Sequence, residues 1–242
     1  TLIAPVFFDG QLVAFAANKA HWTEVGGMAA GSWSTGTTEV YQEGLRFPTI
    51  HIYRQGQPMT GLIELIQANV RLPSMTLGDL HAGVASLRAG QRGITEVCRR
   101  YGVRALQEAM HTMLRRGEQV ARQQLAALPP GVYTAEDWID DDGLTDQPLP
   151  VRVQVTISHE EFVADFSGSA PQTAGPINTT RIGLEVSCRE IFKAIVAPHI
   201  PNNDGIFRPL RVICPDGTLF TAQCPAPVST YWETGAYVSD LI

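Results

Sequence analysis

The sequence predicts an α+β fold in which antiparallel hairpins are kept apart from a helical region. Three observations carry this. The apolar period is two near the start, close to 3.6 through the middle, and two again beyond residue 150. Asp9-Gly10 stands between two strand-like runs, and no proline interrupts the stretch between Pro73 and Pro129. Strands joined by hairpin turns and segregated from helices give α+β rather than a parallel sheet alternating with helices.

Val6-Phe7-Phe8 and Leu12-Val13-Ala14-Phe15 flank the Asp-Gly pair and predict a hairpin over residues 5 to 17. From Gly26 to Thr38 glycine, alanine, serine and threonine dominate, which reads as a loop. Ile50, Ile52 and Tyr53 predict a short strand before Gly56, and Leu62 to Ile66 is too brief to assign by period. Thr76 followed by Asp79 is an acidic variant of a helix-start signature. Leu80, Val84 and Leu87 keep helical spacing, and beyond Gly90 to Gly93 the set Ile94, Val97, Tyr101, Leu106, Met110, Met113 and Leu114 resumes it. A helical region inside 76 to 128 follows, closed by Pro129-Pro130-Gly131 and read as an αα-hairpin or bundle arm. Its methionine pair is expected in the core, with Arg99, Arg100, Arg115 and Arg116 on a solvated face. Val151, Val153, Val155 and Ile157 alternate with polar residues and predict a second hairpin over 151 to 166 with Phe162 to Phe166. Ile182 to Val196 has near-helical spacing, while Leu210 to Cys214 and Leu219 to Cys224 flank Pro215-Asp216-Gly217 as a third hairpin. The expected organisation is a β-rich segment 1–75, a helical region 76–130 and an α+β segment 131–242. The chain begins without methionine in an apolar stretch and ends without a capping residue, which reads as a piece of one larger protein.

Composition narrows the functional classes. With 242 residues, 44% hydrophobic and 17% charged, and a mean hydropathy of −0.01, the chain is too apolar to be mainly disordered. Eighteen basic against 24 acidic residues give a net charge of −6, so no field exists to hold a polyphosphate backbone and nucleic acid is not an expected partner. No apolar run approaches a membrane span and no signal-peptide layout opens the chain, so a cytoplasmic protein with no membrane partner is expected. Cys98, Cys188, Cys214 and Cys224 are scattered without a C-x-x-C pair and are expected to be reduced, buried thiols.

Gly31-Ser32-Trp33-Ser34-Thr35-Gly36-Thr37-Thr38 has the glycine spacing of a phosphate loop, but Thr37 stands where the phosphate-binding lysine belongs. An ATP site in this chain is therefore not expected. His21 and Glu24 follow the first hairpin and precede Gly26-Gly27, so an imidazole and a carboxylate are expected in one polar cavity with the 26-to-38 loop. Such a pair suits a divalent metal or a base with its orienting partner, and its spacing equally fits a hydrogen-bonded surface histidine. A catalytic metal commonly takes three protein ligands, so two residues leave the site incomplete. His81, His111 and His159 read as solvated or structural, and Asp140-Asp141-Asp142-Gly143 as a polar turn lacking the alternating ligands of a calcium loop. There is no G-x-S-x-G elbow to support serine-hydrolase chemistry.

Ala20-His21-Trp22-Thr23-Glu24-Val25-Gly26-Gly27 resembles the hydantoinase B family, which includes B-type subunits of ATP-dependent hydantoinases and oxoprolinases and related ketone carboxylase subunits. The likeness continues through Gln42-Glu43-Gly44-Leu45, Asn69-Val70-Arg71, Gly78-Asp79-Leu80, Val163 to Gly168, Gly175-Pro176-Ile177-Asn178, Pro201 to Gly205 and Pro225-Ala226-Pro227-Val228. The resemblance implies a divalent metal of the zinc, manganese or iron class near His21 in the intact protein, with further ligands from preceding segments. The family often shows aspartate where this chain has Glu24. It also implies an A-type, actin-like kinase subunit that binds ATP and phosphorylates a small cyclic amide, within a hetero-oligomer. The implied role is a B-type subunit fragment of a cyclic-amide hydrolase of the hydantoin or 5-oxoproline type, and Thr37 in place of the phosphate-loop lysine with the incomplete metal site at His21 leads to the expectation that the fragment is inactive alone. The alternatives are a ketone carboxylase subunit and a catalytically silent scaffold segment.

Overall fold

Asp9 and Gly10 both take positive φ, 47° and 77°, which suits the right-handed twist of the strands they join. In the computed structural model, which describes residues 1–242, they connect β1 (Leu2–Phe8) to β2 (Gln11–Asn18) as an antiparallel pair with a register shift at Val6/Phe7. The strand expected around Ile50 to Tyr53 shrinks to a two-residue hairpin, β3 (Tyr53–Arg54) with β4 (Gln57–Pro58), across Gln55 and Gly56. Three helices follow: α1 (Thr60–Asn69), α2 (Pro73–Tyr101) and α3 (Val103–Leu125).

Helix α2 starts a turn earlier than Thr76 and Asp79 indicated. Pro73 occupies its first turn, where a missing N–H costs nothing. Thr76 and Asp79 bind a neighbouring loop instead of capping the helix: Thr76 Oγ1 donates to the Glu24 carbonyl at 2.9 Å, and Asp79 Oδ2 accepts the Thr23 N–H at 2.6 Å. The helix passes through Gly90 and Gly93 unbroken and stops at Gly102, whose φ is 83°. It packs against β1, β2 and α1, so the expected αα-hairpin is not formed. Met110 and Met113 are exposed rather than in the core. The helical spacing of that set is only approximate: Val97 and Tyr101, before the break at Gly102, are exposed as well, whereas Leu106 beyond it is buried. Arg99, Arg100, Arg115 and Arg116 are solvated as expected.

The remaining elements are β5 (Gly131–Ile139), β6 (Leu149–Ile157), β7 (Phe162–Asp165), α4 (Arg181–Val196), β8 (Leu210–Ile213) and α5 (Tyr231–Leu241). The sheet order is β5-β6-β7-β8, with antiparallel pairs except for β7 and β8, which run parallel. The expected β6–β7 hairpin is present. The third hairpin is not, because Leu219 and Phe220 are buried in a tight turn where Gly217 N donates to Thr221 O, and β8 pairs with β7 instead. β5 was not legible in the sequence because it is largely exposed, with Ile139 its one buried residue. Val151, Val153 and Val155 form the inner face of β6 and meet Leu184, Cys188, Phe192 and Val196 of α4 in one core. Phe162 packs edge-on against Phe192 with ring centroids 5.4 Å apart, and Phe166 against Phe220 at 5.0 Å.

Backbone contacts divide the chain into two units, residues 1–32 with 44–112 and residues 33–43 with 113–242. β1, β2, α1 and α2 thus share the first unit, and the mixed sheet with α4 and α5 lies in the second. Cys98, Cys188 and Cys214 are buried as expected, whereas Cys224 is exposed. No helix is long and apolar enough to cross a membrane.

Candidate functional site

In the first unit, the chain leaves β2 and passes His21 and Glu24 before Gly26, whose φ is 83°. A Cβ on Gly26 would stand 2.5 Å from the Asn69 carbonyl oxygen, so the loop lies on the end of α1 as only glycine allows. Glu24 is 1% exposed. Its Oε1 accepts from Gly26 N at 2.9 Å and Arg71 Nη1 at 3.0 Å, and its Oε2 from Arg71 N at 2.9 Å. Arg71 also donates to the carbonyls of Gly27 and Ala29. Burial pushes the Glu24 carboxyl up, but the bonds from Arg71 and Gly26 outweigh it and hold the group below the usual glutamate range.

The two residues expected to share a metal therefore separate. Both Glu24 oxygens are held by N–H donors, one of them a guanidinium that a cation would have to displace, so Glu24 does not fit a ligand role. It is the internal anion that clamps Ala20 to Gly27 onto the Asn69-Val70-Arg71 segment. His21 is exposed whereas Glu24 is buried. No three His, Cys, Asp or Glu side chains of the chain are grouped to hold a metal. One imidazole does not make such a site.

A second convergence lies in the second unit and joins three of the quoted motifs. Asn178 is fully buried; its Nδ2 donates to the carbonyls of Thr173, Gly175 and Pro227, and its Oδ1 accepts from Thr173 N. Asp142 is filled as well, Oδ1 by Leu144 N, Thr145 N and Thr145 Oγ1 and Oδ2 by Gly175 N. Burial pushes its carboxyl up, but these bonds outweigh burial and hold the group below the usual aspartate range, so the aspartate run is the polar turn that its pattern implied. Glu43 Oε1 accepts from Val228 N at 2.7 Å, Ser229 N at 2.8 Å and Thr37 Oγ1 at 3.1 Å. Half-burial raises this carboxyl, and the three donors offset only part of the rise. Val40 N donates to the Pro225 carbonyl and Ser34 N to Ser229 Oγ. Trp33 stacks on Trp232 with ring centroids 4.2 Å apart.

Thr37 thus has a structural reason to stand where a phosphate loop would carry lysine: it is buried and serves Glu43. Sequence reasoning read Asp142 only as part of a polar turn and did not single out Glu43 or Asn178. The signal available for Glu43 and Asn178 was their place inside quoted motifs, but a partnership such as Glu43 with Val228 spans 185 residues and has no local pattern. His81, His111 and His159 are exposed, with His111 Nδ1 near the Gln107 carbonyl one turn back, in keeping with solvated roles.

A family model described as Hydantoinase B/oxoprolinase matches residues 1–242. The chain is 30% identical over 250 residues to the B-type subunit of a putative D-/L-hydantoinase of Pseudomonas sp. strain NS671, covering 98% of this chain and 42% of that protein. Its fold matches the crystal structure of the ATP-dependent caprolactamase from Pseudomonas jessenii with a TM-score of 0.89 and 28% identity, over 99% of this chain and 42% of that one. A nucleotide-free acetone carboxylase structure matches with a TM-score of 0.90 at 18% identity, over 98% of this chain and 33% of that one, a likeness of fold. The chain spans less than half the length of these relatives.

Proposed function

The chain belongs to the hydantoinase B/oxoprolinase family, and on that footing we propose that it is part of the B-type subunit of an ATP-dependent cyclic-amide hydrolase. Its substrate would be a lactam or cyclic ureide activated by an A-type partner. The observation that carries the reading is the match along the whole chain to a B-type hydantoinase subunit and to a caprolactamase, together with the convergence of its motifs into two bonded clusters.

Resonance makes a ring amide a poor electrophile. A phosphoryl group placed on its oxygen withdraws electron density from the carbon, and water can then open the ring. This division of labour leaves ATP to the partner, which suits a chain whose only phosphate-loop-like segment carries Thr37 bonded to Glu43. His21 is retained as a proposed metal-binding residue and Glu24 as the clamp of its loop. The ketone carboxylase reading rests on shared fold with the acetone carboxylase.

The test is turnover by the intact assembly with caprolactam, hydantoin or 5-oxoproline, and separately with acetone and bicarbonate, each with and without ATP. ATP-dependent ring opening is expected. Carboxylation without ring opening would replace the reading with the carboxylase one, and a stable complex without turnover would make this segment a scaffold.

A further inference from the structure

One face of the β1–β2 hairpin is already committed: Val6, Val13, Ala14 and Ala16 pack with Cys98 of α2 in one core. The other face carries Ile3, Pro5 and Phe7 of β1 and Leu12, Phe15 and Ala17 of β2, all exposed. The register pairs Ile3 with Ala17, Pro5 with Phe15 and Phe7 with Leu12, and residues directly opposite each other share a face. Leu12 joins Phe15 there despite a spacing of three, because the register shift at Val6/Phe7 leaves Val13 as an extra residue that turns into the core.

Ile3 is 64% exposed, Phe7 58%, Leu12 49% and Phe15 64%. A hairpin with one wet face alternates apolar with polar residues, whereas strands apolar on both sides are those covered on both. No charged or polar side chain interrupts the six. An aromatic side chain carries about 150–250 Å² of surface, so at these exposures the face presents on the order of 500–600 Å², the size of the largest apolar patch on an ordinary monomer.

A second copy of the chain fits this face. Two copies laid face to face bury about 1,000–1,200 Å² in total, the lower range of a specific interface. Self-pairing draws no charge away from water, because neither face holds one. The ends set the orientation: Asp9 in the turn and Lys19 just past β2 are both exposed and stand at opposite ends of the hairpin. A twofold axis running between the sheets and across the strands lays the turn of one copy over the open end of the other, so each Asp9 meets the other copy's Lys19. An axis along the strands brings like charges together instead.

We propose that the outer face of the β1–β2 hairpin is a homodimer interface, paired with the same face of a second copy in this end-to-end reversed orientation. No step of the proposed reaction enters, so the outcome of the turnover assay leaves the interface unaffected.

The test is sedimentation equilibrium of the 242-residue chain. A monomer–dimer equilibrium in the micromolar range is expected. Phe15→Glu puts a carboxylate in the middle of the face; it should keep the native circular-dichroism spectrum, since Phe15 is outside the core, and weaken dimerisation by about 30-fold or more. Lys19→Glu should weaken it about two- to fivefold, and that effect should vanish in an Asp9→Asn background, where no like charge faces the new carboxylate. Asparagine tolerates the positive φ of position 9. A monomer at every concentration, which leaves the face to another protein or to a different part of a longer one, overturns the proposal. So does a dimer that Phe15→Glu leaves intact, assembly that grows beyond two copies, or an equal effect of Lys19→Glu with and without Asp9→Asn. If Phe15→Glu fails to fold, Ile3→Ser on the same face takes its place, with loss of dimer expected and an unchanged dimer again overturning the interface.

Discussion

Glu24 and Glu43 are both drawn away from water, and their surroundings move them in opposite directions. The Glu24 carboxyl is held below its ordinary value of 4.5 by Arg71 and Gly26 despite burial, so its stabilising contribution is present above that pH and lost as the pH falls through the lower native value. Glu24→Gln should cost about 2 kcal/mol at neutral pH, because a charge-assisted bond to Arg71 and one backbone acceptor are lost. Urea unfolding across the acid limb should then show a flatter decline than in the unaltered protein. Burial raises Glu43, which reverses the sign: its protonated form is favoured in the native state, and that contribution fades as the pH rises through the native value. Neutral Glu43→Gln should therefore unfold at no lower urea concentration at pH 7, and a marked fall would remove the raised carboxyl from the account. The cysteines divide in a comparable way. Burial pushes the Cys188 thiol up to about 12, while Cys224 is exposed. A thiol reagent should label Cys224 in the native protein and all four cysteines after unfolding.

At the scale of elements, close backbone approach and open helix surface make two glycines behave oppositely. Gly175 lies directly against the Asp142 carbonyl where a Cβ would have to stand, whereas Gly93 inside α2 has open space around it. Gly175→Ala should destabilise by about 2 kcal/mol or more, since the contact is with backbone that cannot move aside. Gly93→Ala should stabilise by about 0.5–1 kcal/mol through helix propensity alone. Thermal unfolding of both variants checks the pair. The elements that sequence reading recovered are those whose residues report their own burial. Val151, Val153 and Val155 alternate because one face of β6 meets the core, and Asp9-Gly10 marks the β1–β2 turn by its own backbone freedom. β5 was missed because its exposed face removes the alternation, and the β7–β8 pairing because parallel neighbours are joined through α4 rather than by a turn.

For the whole molecule, the family match covers every residue while the relatives are more than twice as long, so the proposed activity is one of a longer protein with its proposed partner. The isolated chain should hydrolyse neither ATP nor a cyclic amide. In the intact assembly His21→Ala should abolish ring opening and leave ATP consumption measurable, since the proposed function assigns phosphorylation to the A-type partner. Unchanged product formation by that variant would return His21 to the role of a loop histidine.

The sequence by itself determined the α+β class, the first and second hairpins, the long helical stretch and the family, because each is written in neighbouring residues or in ordered motifs. Tertiary structure alone decided the work of the site residues. Glu24 finds Arg71 across 47 positions, and Glu43 finds Val228 across 185. Periodicity reports whether a side chain leaves water. It carries no record of which distant donor meets it there, because that depends on how the intervening chain closes.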